Sequence, residues 1–156
     1  MDNVLLSFDS STKSTGYAVF FNGLLLEYNL INLKDVINTE KRICLMITKI
    51  FETCEKYKPK TIVTEMTVVT RNAQVQRELT MILGAIYGYC IKNQINYKSL
   101  RPTEWRKLIS TEKKPRKRDE LKLWSKKKVK ELFNIEKVND DISDAILIGQ
   151  AYINMI

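Results

Sequence analysis

The chain of 156 residues contains no histidine. Without histidine, the protein cannot use a Ser/His/Asp or Cys/His triad, a histidine general base or a histidine-ligated zinc ion, which are the commonest routes to acid–base chemistry at neutral pH. Any catalysis must therefore come from carboxylates, lysine, tyrosine, cysteine or bound metal ions. This absence narrows the candidate enzyme classes before any motif is considered.

Cysteine is scarce, and long apolar runs are absent. Cys44, Cys54 and Cys90 form no C-x-x-C pair and lie among apolar residues of helix-like spacing, so we expect three small buried side chains. No basic, apolar leader and no apolar run near the ~18 residues of a membrane span is present. These absences predict a protein of the reducing cytoplasm.

Positive charge is confined to one part of the sequence. The chain has 26 lysine and arginine residues against 18 aspartate and glutamate residues, and residues 113–130 alone hold ten basic and two acidic side chains. We call this stretch the basic arm. Such an arm indicates a polyanionic partner, although a solvated lysine-rich helix face has the same charge.

The hydrophobic pattern predicts strands and helices in a definite order. The predicted strands cover residues 4–9, 16–21, 24–30, 61–65 and 95–100, and the predicted helices begin near residues 39, 72, 103, 119 and 140. Asn22-Gly23 indicates a type I′ hairpin turn, and Asp119 is the expected N-cap of its helix. The order predicts an α/β, RNase H-like fold: a mixed five-stranded sheet, three antiparallel strands then crossover-connected strands, flanked by helices. We expect one domain over residues 1–156, with a basic linker and helix at about 113–133.

Four acidic residues occupy unusual places in this pattern. Asp9 and Glu65 each end an otherwise apolar strand, where a lone carboxylate gains nothing from burial. Asp141 and Asp144 lie three positions apart on the last helix and so share a face. Two Mg²⁺ ions would balance four carboxylates, and such a pair can activate water for an in-line phosphoryl displacement without histidine.

Each of these acids also has a simpler interpretation. Asp9, followed by two serines, is compatible with a turn-forming aspartate. Asp140, Asp141 and Asp144 are compatible with acids that complement the dipole at a helix N-terminus. Glu65 is the hardest to explain in this way, and the four acids taken together favour the metal site.

Three stretches resemble the acidic motifs of RuvC-type Holliday junction resolvases, which are crossover junction endodeoxyribonucleases of the RNase H-like superfamily. They are residues 9–18 (DSSTKSTGYA), Thr64-Glu65 with Arg71-Asn72-Ala73, and residues 141–145 (DISDA). The resemblance spans nearly the whole chain. It implies a magnesium-dependent, homodimeric nuclease that acts on four-way and other branched DNA by paired symmetric nicks, in recombination, repair or replication.

The resemblance also implies roles for single residues. The four catalytic, metal-binding acids fall on Asp9, Glu65, Asp141 and Asp144, and the implied cofactors are two Mg²⁺ per site, with Mn²⁺ as a substitute. Together with the basic arm, it gives the following predicted DNA-binding residues: Arg71, Arg106, Lys107, Lys113, Lys114, Arg116, Lys117 and Arg118.

The chain departs from the family pattern at three points. Ser10-Ser11 stands where bacterial members have Pro-Gly, which indicates a divergent, phage-like branch acting in a bacterium or an infected host cell. No aromatic residue stands directly after Glu65, where residues 66–69 are MTVV, so the resemblance does not extend to base-specific cleavage. The tandem Asp140-Asp141 leaves open which of the two aspartates is the metal ligand.

Two other functions stay open. One is another RNase H-like nuclease, acting on RNA/DNA hybrids, flaps or forks, and the other is a non-catalytic protein that binds branched DNA.

Overall fold

The computed structural model describes residues 2–156, which form five strands and five helices. In chain order the elements are β1 (Val4–Ser10), β2 (Ser14–Phe21), β3 (Leu24–Asn32), α1 (Thr39–Tyr57), β4 (Thr61–Glu65), α2 (Ala73–Asn93), β5 (Asn96–Leu100), α3 (Pro102–Ile109), α4 (Arg118–Phe133) and α5 (Asp140–Met155). The strands make one sheet of order β3-β2-β1-β4-β5. β1, β2 and β3 pair antiparallel, whereas β4 pairs parallel with β1 and with β5. The predicted fold class is confirmed.

Apolar side chains on the two faces of the sheet build two separate cores. Leu6 and Phe8 of β1 point to the face covered by α1 and α2, where Met46 and Ile82 are fully buried. The opposite face is covered mainly by α5. Its buried residues include Phe20, Val63, Trp105, Ile146 and Leu147. Because both faces of the central strands are covered, only the ends of β1 and β4 remain near solvent, and polar side chains can be placed there.

Of three local predictions from the sequence, the structure confirms one and contradicts two. Asn22 and Gly23 both have positive φ, 50° and 84°, as a type I′ turn requires. The expectation for Cys44 was wrong, because this residue is exposed. It lies one position after Ile43 on α1, about 100° around the helix from the buried stripe. Asp119 is also not the N-cap of α4; Lys117 holds that position, and Asp119 lies in the first turn.

Among residues 2–156, no helix is both long enough and apolar enough to cross a lipid bilayer.

Candidate active site

The sheet register brings the first two predicted acids together. β1 and β4 run parallel with Phe8 opposite Thr64, so Asp9 and Glu65 follow at neighbouring positions on adjacent strands. The carboxyl ends of parallel strands share one edge of the sheet. Both side chains are therefore delivered to the same rim, as their place at the strand ends predicted.

Helix α5 brings the other two acids to this rim by close packing on β2. A Cβ atom at Gly16 would lie 2.1 Å from the backbone oxygen of Asp141, so only glycine allows this approach. Gly16 pairs with Asp9 across the sheet. The Ser14 hydroxyl, also on β2, donates to Oδ2 of Asp141 at 2.6 Å. Glycine and serine in the first motif thus seat the N-terminus of α5 beside Asp9.

The four acids line one cavity of about 360 Å³, which we call the carboxylate cavity. Its full lining is Asp9, Ser10, Ser11, Glu65, Arg106, Arg116, Arg118, Leu121, Lys122, Asp140, Asp141 and Asp144. Asp140 differs from its neighbours because it forms ion pairs with Lys126 at 2.9 Å and Lys122 at 3.4 Å. The lysines lower the pKa of Asp140, against a smaller raising effect of burial. Asp140 is thus already neutralised by protein groups, which supports Asp141 as the acid that faces the cluster.

The cluster is electrostatically costly at Asp9. Burial raises the pKa of the Asp9 carboxyl well above its usual range, and the negative charges of Asp144, Glu65 and then Asp141 raise it further. The Arg106 guanidinium lowers this pKa, but it is the smallest of these effects. Asp9 therefore lies at the centre of mutual repulsion among the acids.

Burial also raises the pKa values of Asp144 and Glu65. The pKa of Asp144 rises to about 6, chiefly through burial and with a smaller contribution from Glu65, although the nearby Ser125 hydroxyl and Arg106 lower it. Burial also raises the pKa of Glu65, which a hydrogen bond from Trp105 and the charge of Arg106 lower. Desolvation thus disfavours the ionised form of all three acids, and like charge adds to this effect at Asp9 and Asp144, so a bound cation would stabilise the carboxylates of the cavity.

Several buried polar atoms around the cavity have no hydrogen-bond partner within the described part of the chain. They are Ser10 Oγ, Arg106 Nε, Ser125 Oγ and Asp144 Oδ1. Such atoms are uncommon in folded proteins, and their grouping at one place is typical of a site for a ligand or ion. A set of carboxylate and hydroxyl oxygens is the donor set that suits a hard divalent cation.

The side chains do not by themselves form a ready coordination sphere. Among residues 2–156, no three acidic or thiol side chains converge closely enough to hold a metal ion as they stand. Asp141 and Glu65 are each held by a protein donor, Ser14 and Trp105. The donor chemistry fits a divalent cation, and the predicted ligand set stays a prediction.

The predicted DNA-binding residues fall into two groups. Arg106, Arg116 and Arg118 line the carboxylate cavity. The others lie outside it: Arg71 before α2, Lys107 on α3, and Lys113, Lys114 and Lys117 between α3 and α4. All of these outer residues are exposed except Lys114, which is partly buried and donates to the Ser110 carbonyl. The inner group can reach a bound phosphate, whereas the outer group can contact only more distant parts of a nucleic acid.

Sequence reasoning missed three side chains that contact or face the acids. They are Ser14, Trp105 and Ser125, on β2, α3 and α4. Ser14 lies within the first motif, so the motif itself contains a signal. Trp105 and Ser125 are buried in helices, where a pattern of apolar residues carries no information about which carboxylate they face.

A family model matches nearly the whole of the chain. The model of crossover junction endodeoxyribonuclease RuvC matches residues 5–151, which include both strand ends and the start of α5. The chain belongs to the RuvC family. RuvC proteins are divalent-metal-dependent nucleases that resolve Holliday junctions, so the predicted family, nuclease class and reaction are confirmed at this level. No curated protein sequence matches the chain as a close relative.

Solved structures agree with the fold of this RuvC family member. Thermus thermophilus RuvC in complex with a Holliday junction substrate has a TM-score of 0.75 at 13% identity, over 97% of this chain and 93% of that chain. The yeast mitochondrial Holliday junction resolvase Ydc2 gives 0.65 at 15% identity, over 97% and 78%. A Fowlpox virus resolvase with Holliday junction DNA gives 0.63 at 16% identity, over 97% and 97%. At these identities the likeness shows the shared fold.

Proposed function

We propose that the chain is a magnesium-dependent endonuclease that cleaves four-way DNA junctions in the carboxylate cavity, with Asp9, Glu65, Asp141 and Asp144 as the catalytic, metal-holding residues. Residues 1–156 act as one nuclease domain. The main support for this proposal is that the four acids, which come from β1, β4 and α5, line a single cavity together with three arginines.

The electrostatics of the cavity support a cation as the missing partner. Neighbouring acids raise the pKa values of Asp9 and Asp144, and Arg106 is the only cation that lowers the pKa of Asp9, Glu65 and Asp144 alike. When bound, divalent cations supply neutralising charge and activate water for phosphodiester hydrolysis. Mg²⁺ and Mn²⁺ suit the all-oxygen donor set, and four carboxylates match the charge of two such ions.

The chain's own residues would hold the DNA around the scissile phosphate. Arg106, Arg116 and Arg118 line the cavity and can pair with phosphate oxygens, since the guanidinium group binds phosphate in a bidentate manner. Arg71, Lys107, Lys113, Lys114 and Lys117 lie outside the cavity, where they would contact the backbone on either side of the cut. Such contacts position DNA without reading its sequence.

A junction presents two equivalent strands, which fits a two-fold symmetric enzyme. We propose that the chain acts as a homodimer, so that each protomer places one carboxylate cavity at one strand and the pair makes two symmetric nicks. The matching structures of Thermus thermophilus RuvC and the Fowlpox virus resolvase are complexes with Holliday junction DNA, which supports the same class of substrate here.

The test compares two acids of the same cavity. Glu65→Gln removes a proposed metal-holding charge and is expected to abolish cleavage of a synthetic four-way junction in Mg²⁺, with binding of the junction retained. Asp140→Asn is the matched control, because Asp140 lines the cavity but is paired with Lys122 and Lys126, and this variant is expected to keep cleavage. Cleavage retained in Glu65→Gln would contradict the assignment.

The same assay separates the substrate classes. A fork and an RNA/DNA hybrid of equal length are incubated beside the junction, each with and without Mg²⁺. We expect cleavage of the junction and paired product lengths that correspond to symmetric nicks. Preferential cleavage of the hybrid would instead assign the chain to a different nuclease activity.

A further inference from the structure

Trp105 donates a hydrogen bond to one of the four proposed catalytic acids. Its indole Nε1 donates to Oε2 of Glu65 at 2.6 Å. An indole nitrogen is a donor only, so it occupies one lone pair of the carboxylate and leaves the rest of this cavity-lining group for other partners. The contact links the core of the protein directly to one acid of the carboxylate cavity.

The ring of Trp105 is held rigidly. Its side chain is 0% exposed and packs in the core under α5 with Val63, Leu100 and Leu147. The Arg106 guanidinium covers one side, with 4.7 Å between its central carbon and the ring centroid. A buried indole with two side-chain torsions cannot turn without repacking of its neighbours, so its N–H points in a fixed direction.

The donor is also neutral, and this matters at a site of like charges. A lysine or arginine in hydrogen-bond contact with Glu65 would orient the carboxylate but would cancel the negative charge that attracts a cation. Asp140 illustrates that outcome, because Lys122 and Lys126 pair with it at 3.4 and 2.9 Å. An indole orients the carboxylate and leaves its charge in place.

From this geometry we propose that Trp105 is a positioning residue: its indole N–H fixes the orientation in which Glu65 is presented to a divalent cation. The inference rests on the proposed role of Glu65 as a metal-holding residue. Groups that hydrogen-bond to metal ligands commonly change metal affinity by ~10- to 100-fold when they are removed.

The second tryptophan of the chain provides a matched control. The rings of Trp105 and Trp124 lie 6.5 Å apart at an angle of 44°. Trp124 Nε1 donates to Oε1 of Glu112 at 2.8 Å, and Glu112 also pairs with Lys128 at 3.0 Å. Both indoles thus donate to a glutamate, but only Glu65 lines the carboxylate cavity. The change from tryptophan to phenylalanine removes the same group in both cases.

The experiment measures Mn²⁺ binding to the DNA-free full chain by calorimetry. Trp105→Phe is expected to weaken Mn²⁺ binding ~10- to 100-fold. Trp124→Phe is expected to stay within about twofold of the unaltered protein, because its hydrogen-bond partner Glu112 does not line the carboxylate cavity. Equal Mn²⁺ affinities in the two variants would overturn the proposal.

A double variant shows whether Trp105 acts through Glu65. In the Glu65→Gln background, Trp105→Phe is expected to change Mn²⁺ affinity by less than about twofold, because the group it orients has lost its charge. A further tenfold loss in that background would contradict a positioning role. The two proposals can fail independently. Normal junction cleavage by Glu65→Gln would reject the proposed function. If Glu65→Gln loses cleavage but Trp105→Phe binds Mn²⁺ normally, only the positioning role is rejected.

A measurement that keeps Trp105 in place covers the case in which Trp105→Phe does not fold. The chain has two tryptophans, so Trp124→Phe leaves Trp105 as the sole source of an indole N–H resonance in a ¹⁵N-labelled sample. That resonance is expected to shift when Mg²⁺ is added and when Glu65→Gln is introduced. A resonance that moves in neither case would also overturn the proposal.

Discussion

The carboxylate cavity and the Arg42–Glu78 pair both remove charge from water, but they differ in how that charge is compensated. Arg42 on α1 and Glu78 on α2 are buried, with 3.6 Å between Nη2 and Oε2. The Arg42 Nε donates to the Thr12 carbonyl at 2.9 Å, and the Gln74 amide donates to Glu78 at 3.0 Å. The cavity, by contrast, gathers four acids, and of its three lining arginines only Arg106 lowers the pKa values of Asp9 and Asp144.

The difference separates a structural use of buried charge from a functional one. The Arg42–Glu78 pair ties α1, α2 and the β1–β2 loop together and needs no further partner. The acids of the cavity repel one another, and Asp144 Oδ1 is buried without a hydrogen bond. Proteins keep such repulsion mainly at binding and catalytic sites, where a ligand relieves it. Opposite effects of mutation are therefore expected in the two regions.

The largest effect on stability is expected at the compensated pair. Arg42→Met leaves the Glu78 carboxylate buried without its partner and should lower the free energy of unfolding by about 3 to 5 kcal/mol. Urea unfolding measures this directly. The double variant Arg42→Met/Glu78→Met should recover most of the loss, because no buried charge remains. A decrease in the free energy of unfolding of less than about 1 kcal/mol would mean that the pair contributes no more than an ordinary surface ion pair.

The opposite sign is expected in the cavity. Asp144→Asn removes a carboxylate whose pKa is raised from 3.8 to about 6, chiefly by burial. At pH 7 the metal-free variant should gain up to about 3 kcal/mol in the free energy of unfolding, since one pKa unit corresponds to about 1.4 kcal/mol. Junction cleavage should be lost at the same time. Destabilisation at pH 7 would show that the carboxylate makes favourable contacts in the folded protein.

The same acid predicts a pH dependence in the unaltered protein. Between about pH 4 and 6 the folded state holds a proton on Asp144 that the unfolded state has released, because its folded pKa is about 6. The free energy of unfolding of the metal-free protein should therefore fall as pH rises through this range.

Bound Mg²⁺ should reverse this loss. At ~100 times its Kd, Mg²⁺ should raise the free energy of unfolding by up to about 3 kcal/mol at pH 7. Thermal unfolding at several pH values, with EDTA or with Mg²⁺, measures both effects. A melting temperature that Mg²⁺ does not change at pH 7 would contradict cation binding in the carboxylate cavity.

The smallest effect is expected on the basic arm. Joint replacement of Lys117 and Arg118 by alanine should weaken binding to junctions, forks and duplexes alike. It should reduce the slope of log K against log salt by ~2, because each lost phosphate contact contributes about 0.9. Lys41→Ala with Lys49→Ala on α1, outside the arm, is the control and should leave the slope unchanged. An unchanged slope in the arm variant would mean that these residues form only a solvated surface.

The strand-end acids could be predicted because their positions contradict the pattern around them. Asp9 and Glu65 follow buried β-branched and apolar residues, and the register of β1 with β4 then brings them together without further information. The type I′ turn at Asn22-Gly23 is equally local. Features that depend on a run of neighbouring residues were thus available from the sequence.

Features that depend on distant contacts were not available. Asp140 and Asp141 have the same local setting, and only the ion pairs from α4 to Asp140 separate them. The bond from Trp105 to Glu65 spans 40 residues, and the bond from Ser14 to Asp141 spans 127. Periodicity shows that a residue is buried, but it does not show which side chain that residue will meet.

The most direct test of the central claim is the cleavage of a synthetic four-way junction by Asp9→Asn at saturating Mg²⁺ and enzyme. The other three acids all raise the pKa of Asp9, which places it at the centre of the cluster. Asparagine has nearly the same volume as aspartate, so the change removes the negative charge and leaves the packing intact. We expect a folded protein that binds the junction and yields no nicked product. Cleavage at the rate of the unaltered enzyme would show that the carboxylate cavity is not the active site.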